Sequence, residues 1–210
     1  YTKENMLALG EVAKKHDLFL ISDEVYREFC YTDEPHFSAM NIPGLEQNVI
    51  LIDSVSKRYN LCGCRIGCIV SHNADVMKAA MKYAQARLCP PIYGQLAAIG
   101  ALETPKEYFD AVKEEYIRRR DYMIGRLNNM PGVYSPTPMG AFYTIAEIPV
   151  DNAEDFAKWM LTEFRYNGMT TMVTPAASFY KTPGVGTNHI RIAYVLEVPE
   201  LEKALDVLEK

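Results

Sequence analysis

The sequence has no apolar run long enough to cross a bilayer, and no secretory leader is visible in it. It has little excess charge of either sign: 22 Lys and Arg stand against 27 Asp and Glu, a formal net charge of -5. That balance argues against nucleic acid as a main partner, and no basic run is long enough to follow a phosphate backbone. Arg118, Arg119 and Arg120 fall inside a helical pattern and are expected to form a solvated helix face. Cysteine is sparse and odd in number: Cys30, Cys62, Cys64, Cys68 and Cys89. An odd count without a leader favours reduced thiols in a cytoplasmic protein. Cys62, Cys64 and Cys68 lack a second ligand pair at zinc-ribbon spacing, so no metal site is expected. Internal repeats and low-complexity tracts are absent too. The chain also lacks an initiator methionine. It opens Tyr1-Thr2-Lys3 directly into a capped helix, which reads as a truncated or processed polypeptide.

What is present is ordinary globular material, 210 residues of which 49% are hydrophobic and 23% charged, ample for a core. Thr2 is a good N-cap for a first helix carrying Met6, Leu9, Val12 and Ala13 at helical spacing. Leu18 to Ile21 is a short apolar run ending in Ser22-Asp23-Glu24, and Val49 to Ile52 repeats the pattern before Asp53-Ser54. Such runs read as strands buried on both faces, typical of a parallel sheet. Arg65 to Ser71 is a third stretch of this kind, followed by helical segments near Ala74 to Arg87 and Tyr93 to Leu102.

Pro105 opens a long charged helix predicted to run to about Asn128 and to end at Pro131-Gly132. Beyond it the texture changes. A strand pair is expected over Val133 to Ile148, then an amphipathic helix over Ala153 to Tyr166, stopped by Asn167-Gly168 as a C-cap. Strand-like pieces at Met169 to Val173 and His189 to Val195 precede a last helix beginning near Pro199. Parallel βα units followed by mixed α+β predict an α/β protein of two domains joined by the long helix.

The chemistry concentrates in Ser54-Val55-Ser56-Lys57-Arg58-Tyr59-Asn60-Leu61-Cys62-Gly63-Cys64-Arg65-Ile66-Gly67. It follows the carboxyl end of a predicted strand, where open α/β sheets place their ligands. A hydroxyl at Ser54, an amine at Lys57 and a guanidinium at Arg65 suit a small molecule bearing both an aldehyde and a phosphate. A lysine amine condenses with carbonyls, and an arginine fork matches a phosphate dianion.

This stretch resembles the cofactor-attachment signature of class I aminotransferases, in the fold-type-I family of pyridoxal-phosphate enzymes. Small, apolar and small residues precede the lysine, and an arginine follows eight positions later with an apolar and a small residue after it. Ser22-Asp23-Glu24-Val25-Tyr26 resembles the family's strand-end motif, 34 residues ahead of Lys57 when counted from Asp23. His189-Ile190-Arg191-Ile192-Ala193-Tyr194 resembles the late strand whose arginine takes a substrate carboxylate, and Gly140-Ala141-Phe142-Tyr143 resembles the strand that approaches the site.

The resemblance implies pyridoxal 5'-phosphate as cofactor, held by Lys57 as a Schiff base, with Ser54 and Arg65 on its phosphate. It implies Asp23 on the pyridinium nitrogen, Tyr26 on the ring phenolate oxygen, and Arg191 on the substrate α-carboxylate. Residues 1–115 would be the C-terminal part of a large domain with a mostly parallel sheet, and 116–210 a small α+β domain. The implied reaction passes an amino group between an amino acid and a 2-oxo acid, most like the aspartate aminotransferase branch, in a full-length homodimer. A β-elimination lyase or a non-catalytic regulator of the same fold are the alternatives. Family members carry roughly as much sequence again upstream, including an aromatic that stacks on the ring and amides that cradle the phosphate. The 210 residues alone are therefore expected to be a weak catalyst and to self-associate.

Overall fold

A computed structural model describes residues 1–210. The chain divides into two compact units, Tyr1–Asp110 and Ala111–Lys210. No helix is long and apolar enough to cross a membrane.

The first unit begins with helix α1 (Lys3–Lys15), closed by a capping box. The Asn5 amide donates to Thr2 Oγ1 at 3.2 Å, and the Thr2 amide donates back to Asn5 Oδ1 at 3.2 Å. Glu4 near its start and Lys14 and Lys15 near its end complement the helix dipole. Its buried face (Met6, Gly10, Ala13) packs with Ala39, Ile42, Leu45 and Val49. Strands β1 (Leu20–Asp23) and β2 (Val49–Ser54) pair in parallel, and β3 (Gly67–Val70) returns antiparallel to β2. The link from β2 to β3 holds only the one-turn helix α2 (Val55–Arg58) and a 3₁₀ turn over Cys62–Cys64. Over that link the chain turns back, and β3 runs antiparallel beside β2. Helices α3 (Ala74–Arg87) and α4 (Ile92–Ala101) follow.

Two expectations for the sheet are corrected. The first strand begins at Leu20 rather than Leu18, because Leu18 and Phe19 sit exposed in the turn leaving α1. The apolar strands are also not buried on both faces. Ile21 is 63% exposed and β3 is exposed along its whole length, because no other element of the chain covers them. Helix α4, apolar nearly all round, leaves Ile92, Leu96 and Ile99 similarly bare.

Helix α5 (Lys106–Asn129) carries the chain into the second unit. There a three-stranded antiparallel sheet has the order β4 (Tyr143–Glu147), β6 (His189–Ala193), β5 (Thr174–Pro175). Helices α6 (Ala153–Thr162) and α7 (Val198–Leu208) complete the unit. Met123, Leu127, Ala146, Ile190, Tyr194, Leu201 and Leu205 form its core.

The strand pair expected over Val133 to Ile148 shrinks to β4 and a single bridge between Tyr134 and Glu147. Pro136 and Pro138 have no N–H to continue the ladder. Asn167-Gly168 is not a helix cap. Both residues have positive φ, 50° and 76°, and form the tight turn of a small hairpin in which Tyr166 bridges Met169. Met169 to Val173 is not a strand; Thr171 Oγ1 donates instead to the Ala204 carbonyl at 2.7 Å.

The arginine triplet is also corrected. Only Arg118 lies well exposed; Arg119 donates to the Val195 carbonyl and Arg120 to the Pro138 carbonyl. Hydrogen bonds from Arg118 and Arg119 hold the Glu115 carboxyl down to about 2.

Candidate active site

Ser54 is both the last residue of β2 and the N-cap of α2. Its Oγ accepts from the Ser56 amide at 3.0 Å and lies 2.9 Å from the Ile66 carbonyl. A hydroxyl has one proton. Donated to Ile66, it leaves Ser54 Oγ to accept from Ser56 Oγ at 2.7 Å. The cap starts a single helical turn whose third residue is Lys57. Lys57 Nζ sits 5.9 Å from the centre of the Tyr26 ring, at the outer reach of a cation–π contact.

Asp23 ends β1, opposite Ile52 of β2, and its Oδ1 accepts from the Val25 amide at 3.3 Å. The turn that follows carries Tyr26, whose ring meets Phe29 edge-on at 6.2 Å. Arg65 ends the 3₁₀ turn in the left-handed region, φ 57° and ψ 43°, where a non-glycine residue is strained. Its exposed guanidinium donates to the Cys62 carbonyl at 2.9 Å. The turn is held from the far side by α4, since a Cβ on Gly94 would come within 2.6 Å of the Cys64 carbonyl oxygen.

A cleft of about 660 Å3 lies beside these residues, walled by Ser54, Ser56, Arg65, Cys68, Met81 and Arg87 among others. The two guanidiniums suit a phosphate, and Ser54 and Ser56 would donate to it only by turning their protons away from the Ile66 carbonyl and from Ser54 Oγ. Although Cys68 is open to solvent, the protein around its thiol and the Asp53 carboxylate beside it push its pKa up, so this wall residue stays protonated near neutral pH. The first unit thus brings Lys57 to Tyr26 and sets Ser54 and Arg65 on one cleft, with Asp23 on the neighbouring strand end. Arg191 belongs to the second unit. It lies on β6 between Ile145 and Thr174, its guanidinium 5.5 Å from the Tyr143 ring and 5.0 Å from that of Phe179.

Two groups of residues escaped the sequence reading. Asp53 accepts from Arg58 at 2.8 Å and pairs with Arg27 at 3.3 Å, while Arg58 also reaches Glu28 at 3.3 Å. This pins α2 to the end of its own strand, next to Lys57. Glu24 is buried and receives hydrogen bonds from four groups, three of them in the loop over His36–Ala39. Only the adjacency of Asp23 and Glu24 hinted at the second group, since its donors come from a distant loop.

Burial raises the Glu24 carboxyl, but the bonds from His36, the Ala39 amide and Ser38 outweigh it and leave the pKa below 4.5. A carboxyl depressed on folding stabilises the fold above its unfolded pKa, and that stability is lost as pH falls through the folded value. Thermal melting of the wild type should therefore lose a contribution below pH 4.5 that Glu24→Gln never had. Parallel acid-side Tm curves for the two proteins would count against this bonding.

The paired strand ends, the capped lysine turn and the following small antiparallel unit form an α/β protein with the fold-type-I architecture of solved aminotransferases. The chain belongs to the family of class I and II aminotransferases, whose model matches residues 1–208. It is 31% identical to an aspartate aminotransferase of Pyrococcus abyssi over 99% of this chain and 52% of that enzyme. It is 31% identical to the putative aminotransferase YugH of Bacillus subtilis, over 98% of this chain and 51% of that protein. The crystal structure of an aromatic aminotransferase from Pyrococcus horikoshii superposes with a TM-score of 0.86 at 30% identity, covering all of this chain and 55% of that one. The chain spans about half the length of the relatives it matches. They carry aminotransferase names, so the lyase and regulator alternatives are not favoured.

Proposed function

We propose that these residues serve a pyridoxal-phosphate-dependent aminotransferase, passing an amino group between an amino acid and a 2-oxo acid in a cytoplasmic homodimer. The observation that carries this reading is the strand-end arrangement of Ser54, Lys57 and Arg65 beside the Asp23–Tyr26 turn. The donor set fits the cofactor: an amine for its aldehyde, hydroxyl and guanidinium for its phosphate, a carboxylate for its ring nitrogen. Bound there, pyridoxal phosphate supplies a carbonyl for amines and an electron-accepting ring. Lys57 Nζ would hold the cofactor through its aldehyde, give way to the substrate amine, and then carry the proton from the substrate Cα to the cofactor's aldehyde-derived carbon. Asp23 keeps the ring nitrogen protonated, Tyr26 hydrogen-bonds the phenolate oxygen, and Arg191 holds the α-carboxylate.

Similar proteins carry aspartate, aromatic and alanine names, so the substrate's side chain is to be found by offering acidic, aromatic and small amino acids in turn. The test supplies the full-length polypeptide carrying residues 1–210 with aspartate, an aromatic amino acid or alanine, 2-oxoglutarate and pyridoxal phosphate. Appearance of glutamate supports the reading; release of ammonia with no new amino acid would turn it to elimination. Residues 1–210 by themselves should turn over more slowly and associate through the bare faces of β1, β3 and α4.

Arg191→Lys is expected to raise the KM for the amino acid by about tenfold, because a point charge replaces a planar fork. An unchanged KM would remove Arg191 from carboxylate binding.

A further inference from the structure

Glu24 is the one charged residue among the three buried polar side chains of the chain, and it is 3% exposed. Its Oε1 accepts from Ser22 Oγ at 3.1 Å, Ser38 Oγ at 3.0 Å and the Ala39 amide at 2.9 Å, and Oε2 lies 2.8 Å from His36 Nε2. The backbone is tied as well. The Glu24 amide donates to the Ile52 carbonyl at 2.9 Å, extending the β1–β2 ladder one residue past the strand. The Glu24 carbonyl accepts from the Arg27 amide at 3.1 Å, beginning the turn that carries Tyr26. The loop on the other side is equally committed: Ser38 caps the 3₁₀ turn Ala39–Asn41, and Ala39 is fully buried.

Successive side chains of a strand point to opposite faces. The alternation along β1 keeps Ile21 and Asp23 exposed and Ser22 half-buried, and it continues into buried Glu24. Anchoring Glu24 inward by its side chain, amide and carbonyl therefore holds Asp23 outward at the strand end. Without that anchor, Asp23 is held by the Val25 contact at 3.3 Å and by the end of the ladder.

We propose that Glu24 is a positioning residue for Asp23, orienting its carboxylate from the core side of the strand end. This rests on the reading of Asp23 as the partner of the cofactor's ring nitrogen. Glu24 touches neither cofactor nor substrate in this account. It acts by clamping the loop of His36–Ala39 to the strand end, so that one buried carboxylate sets the aim of the exposed one beside it.

The experiment compares Glu24→Ala, Glu24→Gln and Asp23→Asn in the full-length polypeptide. In the cofactor-free protein, hydrogen exchange at the Ala39 and Glu24 amides should speed up in Glu24→Ala. In the loaded protein, kcat should fall by about 10- to 100-fold with KM for the amino acid within about twofold, as expected for a displaced catalytic group. The pH midpoint of the bound cofactor's visible absorbance should shift, because its ring nitrogen partner has moved. Glu24→Gln keeps an acceptor for Ser22, Ser38 and Ala39, and should restore most of each quantity. If Asp23→Asn cripples turnover while Glu24→Ala leaves kcat and the absorbance titration unchanged, the positioning role is wrong and the reading of Asp23 stands. If Asp23→Asn changes neither, the underlying reading fails and the proposal falls with it. Should Glu24→Ala not fold, Ser38→Ala removes one donor; a smaller shift of the same titration supports the proposal, and no shift overturns it.

Discussion

Lys57→Ala is expected to lower kcat by at least about 10⁴-fold, the upper end of what a positioned acid–base group contributes, because it also removes the amine that holds the cofactor. The fold should scarcely notice. Lys57 lies in a one-turn helix started by the Ser54 cap, and alanine suits a helix better than lysine does. The hydrogen bond from the Asn60 amide to the residue-57 carbonyl at 3.2 Å is backbone and survives the change. The arginine next door, paired with Asp53 at 2.8 Å, keeps the turn on its strand. Tm within a few degrees of wild type beside the lost activity would separate chemistry from unfolding. A variant retaining a tenth of the wild-type rate would remove Lys57 from the centre of the account.

Asp23→Asn should cost about 10²- to 10⁴-fold in kcat for a different reason. The amide oxygen of asparagine still accepts from the Val25 amide, now at 3.3 Å from the carboxylate, so the turn into Tyr26 should persist. What disappears is the negative charge that keeps a ring nitrogen protonated, and with it the ring's capacity to accept electrons from the substrate Cα. Steady-state kinetics and the absorbance titration of the bound cofactor measure both consequences. A loss of only a few-fold would mean that another group partners the nitrogen.

The strand ends that carry the candidate residues were legible because they are set by local sequence. The apolar runs before Asp23 and Ser54 announce strands, and the polar residues that follow fall where such strands present ligands. Tyr26 came from the resemblance of Ser22–Tyr26 to the family's strand-end motif, and Arg65 from its guanidinium and its place in the attachment signature. Glu24 was not legible, since its partners at His36–Ala39 are met only after the chain folds back. The same holds for Arg119 and Arg120, whose helical spacing suggested solvent but whose guanidiniums bond carbonyls far along the chain. Periodicity also misread Asn167-Gly168, because that dipeptide serves a hairpin turn as readily as a helix end. Exposure of β3 and α4 depends on what packs over them, and an apolar run says only that something should.

The most direct test is to load the full-length polypeptide with pyridoxal phosphate, reduce it with borohydride and map the modified peptide by mass spectrometry. A single stable adduct is expected on Lys57, absent from Lys57→Ala. An adduct on Lys78, Lys82 or another lysine in place of Lys57 would contradict that expectation.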